Sequence, residues 1–209
     1  MINISHLHSA CIRKQLACVW LLLVPFWSQA AQAKETAIEF PAADGSMIKP
    51  LDITGKKGAV LIFYLHDCPI CNTYAPEIER LRAAYEPKGF AFFVVQTDAG
   101  LSAASAKKHA EEYSLKGPVL LDGTNRLARL CGATTTPEAA VTGVDGKVLY
   151  LGRIDDLYAD YGKRRPQPTV RDLSDALDAI AEGKPAPHAA GPAIGCFIPG
   201  IKAGDEKKK

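Results

Sequence analysis

Ala59-Val60-Leu61-Ile62-Phe63-Tyr64-Leu65, followed at once by His66-Asp67-Cys68-Pro69-Ile70-Cys71, is the stretch on which the fold turns. An unbroken apolar run rich in branched and aromatic residues reads as a strand buried on both faces, the habit of a parallel sheet. Beyond it Tyr74, Ile78, Leu81 and Tyr85 recur at helical spacing, so a helix starts near Pro69. Proline is tolerated there because the first helical N–H has no partner anyway. Pro76, inside the helix, is expected to kink it.

Two cysteines therefore fall at a strand-to-helix junction. A helix N-terminus carries unpaired N–H groups and partial positive charge. A thiolate placed there is stabilised, its pKa falls, and it becomes the nucleophile. Cys68 is predicted to attack, and Cys71, one turn on, to close the ring and release a mixed disulfide. Asp67 opposes the thiolate, whereas a protonated His66 would favour it. Other uses of the pair have less support. A zinc site needs two further ligands, and no second CxxC or His pair is present. Asn72 stands where a haem-attachment motif needs histidine. A purely structural disulfide would close a ring too small to stiffen much. No cofactor is called for.

Moving outward, Phe40 precedes Asp44-Gly45, a hairpin turn, and residues 90–95 form a second buried strand. A polar helix spans 102–113 and a short strand 118–121. Thr124 is expected to cap a helix carrying Leu127 and Leu130 and ended by Gly132. Residues 139–144, Asp145-Gly146 and 148–151 read as a β-hairpin. Thr169, with Asp172 three residues on, reads as a capping box opening a last helix whose apolar face is Val170, Leu173, Leu177 and Ile180. The order predicts an α/β fold: a central mixed β-sheet flanked by helices, parallel at first and antiparallel where the hairpin joins. From Glu182 onward Pro, Gly and Ala dominate, and regular structure is not expected.

The first 33 residues differ from the rest. Arg13 and Lys14 precede a short apolar run over 16–27, and Ala31-Gln32-Ala33 supplies a small-residue cleavage signal. This predicts a signal peptide over 1–33, cleaved before Lys34, and a periplasmic or secreted protein that is not an integral membrane protein after cleavage. The apolar run is short for a membrane span. Cys18 lies before most of that run, which argues against lipidation. Without Arg13 and Lys14 the 25 basic residues fall to 23, equal to the 23 acidic ones. Nothing in that balance points to nucleic acid. The mature chain keeps Cys68, Cys71, Cys131 and Cys196, which can be oxidised in such a compartment.

Strand, CxxC and proline-bearing helix resemble the thioredoxin fold, and Thr136-Pro137 before the strand at 139 resembles its cis-proline loop. The resemblance implies that this loop packs against the CxxC and pairs with a bound peptide backbone. It assigns Pro137 to the catalytic set with Cys68 and Cys71, and Thr136 and Pro69 to substrate binding. The gap from Cys71 to Pro137 leaves room for an inserted helix and strand, as in exported thioredoxins of the TlpA type and the AhpC/TSA redoxins. Tyr74 stands where many TlpA-type proteins have a glutamate with a proton-handling role, a role the resemblance does not carry over to a tyrosine. Closer still, Cys68-Pro69-Ile70-Cys71-Asn72, Tyr74-Ala75-Pro76-Glu77, Thr136-Pro137-Glu138-Ala139, the run Gly152-Arg153-Ile154-Asp155-Asp156 and Gly195-Cys196-Phe197-Ile198 resemble a bacterial redoxin subgroup, over about residues 37–199. In that subgroup the second active-site cysteine is often Ser or Ala.

The resulting domain division is a signal peptide at 1–33, a redoxin domain at 34–183 and an irregular tail at 184–209. The implied activity is thiol–disulfide exchange with protein dithiol or disulfide clients and an upstream thiol donor. Two alternatives stand beside it. One is a thiol peroxidase using Cys68, although the peroxidase pattern P-x-x-x-T-x-x-C meets Leu61 and Leu65 here instead of Pro and Thr. The other is a redox-sensing or metal-binding module with a soft ion such as Cu(I) on Cys68 and Cys71. Cys196 is a candidate resolving thiol for Cys68, but a staple to Cys131 is the simpler expectation, and Cys131 could equally be a small core residue. The polar cluster around Arg153, Asp155, Asp156, Arg164 and Arg165 is expected to fix a loop by internal ion pairs. His109 and His188 are expected to face solvent.

Overall fold

The computed structural model describes residues 38–201. The expected signal segment at 1–33, with Cys11 and Cys18, and the lysines at 207–209 lie outside the described residues. A short hairpin comes first, β1 (Phe40–Pro41) and β2 (Met47–Ile48), its turn using Gly45 at φ +87°. Along the chain follow β3 (Gly58–Tyr64), α1 (Pro69–Tyr85), β4 (Phe90–Gln96), α2 (Ala103–Glu112), β5 (Val119–Leu121) and α3 (Arg126–Cys131). Then come β6 (Thr135–Thr136), β7 (Glu138–Thr142), β8 (Val148–Gly152), β9 (Tyr158–Asp160), β10 (Lys163–Arg164), α4 (Asp172–Ala181) and β11 (Cys196–Phe197).

The main sheet has the order β5-β4-β3-β7-β8. β3 pairs parallel with β4 and antiparallel with β7, so the expected mixed sheet is present. Every residue of β3 is buried, and its alternating side chains enter two different cores, as a two-residue period requires. Val60, Ile62 and Tyr64 join α1, α2 and α4 on one face. Leu61 and Phe63 join Phe40, Leu51 and α3 on the other. Burial of Leu173 and Leu177 fastens α4 to the first core, each side chain contributing roughly 1.5–3 kcal/mol.

α1 runs from Pro69 to Tyr85 as one helix with Pro76 inside it. Three local expectations change. α3 is not capped by Thr124. Asp122 reaches across instead and accepts the N–H groups of Arg126, Leu127 and Ala128 at 2.7, 2.9 and 3.0 Å. A carboxylate two residues further upstream meets three orphan donors at once, which the Thr124 hydroxyl could not do. Thr169 does not open α4, which begins after Arg171. Its N–H and hydroxyl both go to Asp156, at 2.6 Å each. Finally, the tail lacks helix or strand over 184–195 but ends in β11, which pairs antiparallel with β6. The unpaired backbone edge of β6 and the burial of Ile198 in the second core supply what composition alone did not.

Candidate functional site

β3 and α1 together place Cys68. The strand ends at Tyr64, and the chain turns so that the Cys68 N–H donates to the Leu65 carbonyl at 3.1 Å. Cys68 is the N-cap of α1, in extended conformation, with Pro69 exposed at the first helical position. Cys71 is fully buried one turn on, and Cys68 is only 3% exposed.

A third sulfur completes the site. Cys196, from β11, lies with its Sγ 2.6 Å from Cys68 Sγ. The expected staple between Cys196 and Cys131 is therefore not formed. Cys131 is buried in the second core, among Leu127, Ala128 and Ile198. The Thr136–Pro137 peptide bond is cis, and the Thr136 carbonyl lies 3.9 Å from Cys68 Sγ. Behind the loop the Glu138 carboxylate accepts the N–H groups of Thr134 and Thr135 at 2.9 and 3.2 Å.

The electrostatics divide the three thiols. The Cys71 thiol beside it and, against the cost of burial, the Cys196 thiol and nearby backbone N–H groups hold the Cys68 pKa down to about 5. The Cys68 side chain closes no ordinary cap hydrogen bond on α1, so proximity to these donors is what favours its thiolate. Burial, and then the neighbouring Cys68, push Cys71 well up. The same two causes push Cys196 up to about 11. The leading influences on Cys68 are thus the other cysteines, not Asp67 or His66. His66 instead faces Asp67 at 3.0 Å and Asp98 at 3.2 Å.

His109 corrects an expectation. It is buried, and its Nε2 lies 3.0 Å from the Asn72 side-chain oxygen, one residue past Cys71. That oxygen also accepts the Tyr64 hydroxyl at 2.8 Å. Asn72, Tyr64 and His109 form a polar support under the dithiol that motif reading did not find. Helical spacing carried the signal: Ala106, His109, Ala110 and Tyr113 share one side of α2, and a residue on that side faces the core. His188 is exposed, as expected. The cluster after β8 is internal only in part: Asp155 accepts the Tyr74 hydroxyl at 2.7 Å and Arg153 pairs with Asp172 at 2.7 Å, whereas Arg164 and Arg165 are exposed, Arg165 facing Asp156 at 3.3 Å. Tyr74 therefore points to Asp155 and away from a proton-handling role at the thiols. Among the described residues, no group of three His, Cys, Asp or Glu side chains is set to hold a metal ion.

A mixed sheet with a cysteine pair at the mouth of its first long helix and a cis-proline loop opposite defines a thioredoxin-like protein. A family model described as Redoxin matches residues 29–162, and the chain belongs to that family. Among curated proteins it is similar to "Thiol-disulfide oxidoreductase ResA" of Bacillus thuringiensis subsp. konkukian, 28% identical over 106 residues. That match covers 51% of this chain and 60% of the relative, so the chain spans only about three fifths of that relative's length. Among solved structures, an uncharacterized conserved protein from Geobacillus kaustophilus superposes with a TM-score of 0.65 at 30% identity, over 78% of this chain and 89% of that one. A hypothetical protein from Sinorhizobium meliloti 1021 shares the fold with a TM-score of 0.67 at 21% identity, over 77% and 89%.

Proposed function

We propose that this protein is an exported thiol–disulfide oxidoreductase in which Cys68 attacks and Cys71 resolves. The observation that carries the reading is the pairing of a Cys68 thiolate, favoured down to a pKa of about 5, with a buried Cys71 thiol one helical turn behind it. A nucleophile that is readily ionised and a reluctant partner behind it are what sequential exchange needs. Thr136 and Pro137, with Pro69 next to Cys68, are the residues that would hold an extended client once β11 leaves the edge it occupies at Thr136. The family and the printed name of the Bacillus relative support the same activity. Its clients are protein dithiols or disulfides, and an upstream thiol donor supplies electrons when it works as a reductase.

Export rests on the signal-like segment at 1–33. No helix among the described residues is long and apolar enough to cross a membrane. The test of function is catalysed reduction of a disulfide-bonded model protein with dithiothreitol as donor. Cys68→Ser should abolish it. Full activity in that variant would overturn the assignment.

A second reading, thiol peroxidase, draws on one observation, the Cys196 sulfur 2.6 Å from Cys68 as a partner for an oxidised Cys68. Against it, Leu65 is buried and apolar where the peroxidase pattern places a threonine hydroxyl, and Leu61 stands in place of its proline. Peroxide-dependent sulfenic acid at Cys68 would bring this reading forward.

A further inference from the structure

The tail that ends in β11 is seated with the geometry of a bound peptide. Cys196 pairs with Thr136 and Phe197 with Thr135 in antiparallel register. The Ile198 N–H donates to the Thr134 carbonyl at 3.0 Å, and the Thr136 hydroxyl donates to the Cys196 carbonyl at 3.2 Å. Adding a strand to an open backbone edge is a general way to hold an extended peptide. Here the edge leads into the cis-proline loop, and the added strand brings its own cysteine onto Cys68.

Gly195 makes this fit possible. A Cβ built on it would collide with the Thr136 carbonyl carbon and oxygen. Close backbone approach, not unusual backbone dihedrals, is therefore the reason for a glycine immediately before Cys196. Further contacts hold the segment down. The Tyr161 hydroxyl donates to the Gly195 carbonyl, and Arg129 donates to the Gly200 carbonyl at 2.9 Å. Ile198 is buried in the second core.

The seated tail decides which sulfur solvent meets. Cys71 is closed off and Cys68 nearly so, whereas Cys196 is partly exposed and next to the exposed Phe197. We propose that Cys196 is the outward-facing thiol of a three-cysteine relay, held in the place of a client cysteine and exchanging disulfides between the buried Cys68–Cys71 pair and outside thiols. This deepens the oxidoreductase reading and rests on Cys68 being an exchanging thiol.

The chemistry balances without any further reagent. In the oxidised protein the Cys196 thiolate attacks Cys68 Sγ. The Cys68–Cys71 bond breaks, Cys71 leaves with the electron pair and takes up a proton, and a Cys68–Cys196 disulfide forms. An outside dithiol then attacks Cys196 Sγ, expelling Cys68 as a thiolate. Its second thiol attacks its own sulfur in the mixed disulfide and frees Cys196. The client leaves oxidised by two electrons and the protein is reduced by two, and the reverse sequence reduces a client. Expelling Cys68 is favoured because the more acidic thiol is the better leaving group.

The test uses the full chain and reduced glutathione as the outside thiol. Oxidised protein is exposed briefly to glutathione, quenched in acid, alkylated and digested, and the glutathionylated cysteine is read by mass spectrometry. The relay predicts the adduct on Cys196 in the wild type and, in Cys196→Ser, exchange with glutathione slowed by at least about tenfold. In Cys71→Ser, oxidation should still give the Cys68–Cys196 disulfide. Gly195→Val, which cannot seat the strand, should move the adduct to Cys68, with circular dichroism confirming its fold. An adduct on Cys68 in the wild type, with unchanged kinetics in Cys196→Ser, overturns the relay and leaves the oxidoreductase reading standing. If the Cys68–Cys71 disulfide exchanges with no thiol in any variant, the oxidoreductase reading itself fails, and the relay with it.

Discussion

His109 of α2 holds the side chain of Asn72 of α1, Nε2 to Oδ1 at 3.0 Å, and so ties the helix after β4 to the turn that carries Cys71. The Asn72 oxygen already accepts the Tyr64 hydroxyl, while the amide nitrogen donates to the His66 carbonyl at 3.2 Å. Two donors therefore converge on one acceptor, which requires His109 to carry its proton on Nε2. Its Nδ1 is buried with no hydrogen-bond partner. A second proton there would be unpaired, and burial, followed by the nearby His66, lowers the His109 pKa.

The sign of the resulting pH dependence follows from linkage. The folded pKa lies below the unfolded value, so the unfolded chain takes up the proton first as pH falls. The contribution of a neutral His109 is fully present above the unfolded pKa of about 6.5 and is eroded below it. The urea midpoint of the wild type should fall further between about pH 7.5 and about pH 5 than that of His109→Gln, which cannot charge. Equal falls would mean that His109 does not titrate against folding. Subtracting the variant removes the carboxylates Asp122, Glu138 and Asp155, whose pKa values burial raises in both proteins.

The acidity of Cys68 sets the direction of exchange. An exposed thiol near pKa 7 accompanies thioredoxin's potential of roughly −270 mV, and one near about 3.5 accompanies roughly −120 mV in a strong oxidant. A thiolate favoured in the reduced form stabilises that form and raises the potential. With Cys68 at about 5, the protein should equilibrate with glutathione at a potential between those two values. Ultraviolet titration of the reduced protein should show one thiolate forming near pH 5. Cys196→Ala removes one of the donors and should move that midpoint upward. A first midpoint near the ordinary thiol value of about 8.5 would contradict both expectations.

The sequence was most legible where one element decides its own state. The apolar run before the CxxC cannot avoid being a buried central strand, and Tyr74, Ile78, Leu81 and Tyr85 cannot avoid being the core face of α1. The cysteine pair and the Thr136–Pro137 loop were legible for the same local reason. What escaped depended on distant partners. β11 is two residues long and exists because the edge of β6 and the pocket for Ile198 receive it. The approach of Cys196 to Cys68 spans 128 residues of chain; it was open in the sequence beside a staple to Cys131, and no periodicity decides between the two. Asp122 displaced Thr124 as the cap of α3 because a carboxylate from the preceding strand end could reach three N–H groups.

Tyr74 tests whether the loop after β8 supports α1. Its hydroxyl donates to Asp155 at 2.7 Å in a buried setting, and among the described residues the one other donor to that oxygen is the Leu157 N–H at 2.9 Å. Tyr74→Phe keeps the ring and removes the donor. The half-satisfied carboxylate should then cost about 1–3 kcal/mol, read as a lower urea midpoint at unchanged slope. Because Tyr74 faces Asp155 and not the thiols, the Cys68 midpoint should stay near its wild-type value. A shifted thiol titration with unchanged stability would instead restore a proton-handling role to this position.

The pair formed by Arg153 and Asp172 anchors both α4 and the start of the tail. Arg153 Nε meets one carboxylate oxygen at 2.7 Å, and the Ala190 N–H donates to the other at 2.6 Å. Asp172 is 3% exposed at its side chain and Arg153 15%, so both charges are largely withdrawn from solvent and each relies on the other. Asp172→Ala strands the guanidinium and should destabilise by about 3–5 kcal/mol, whereas a surface pair such as Lys88–Asp178 should contribute at most about 1 kcal/mol. The Ala190 N–H loses its acceptor in the same variant, five residues before Gly195. Asp172→Ala should therefore also loosen β11, read as faster alkylation of Cys68 by iodoacetamide at a pH where the protein is still folded. Loss of stability with unchanged Cys68 alkylation would show that β6 and Ile198 hold the tail without help from α4.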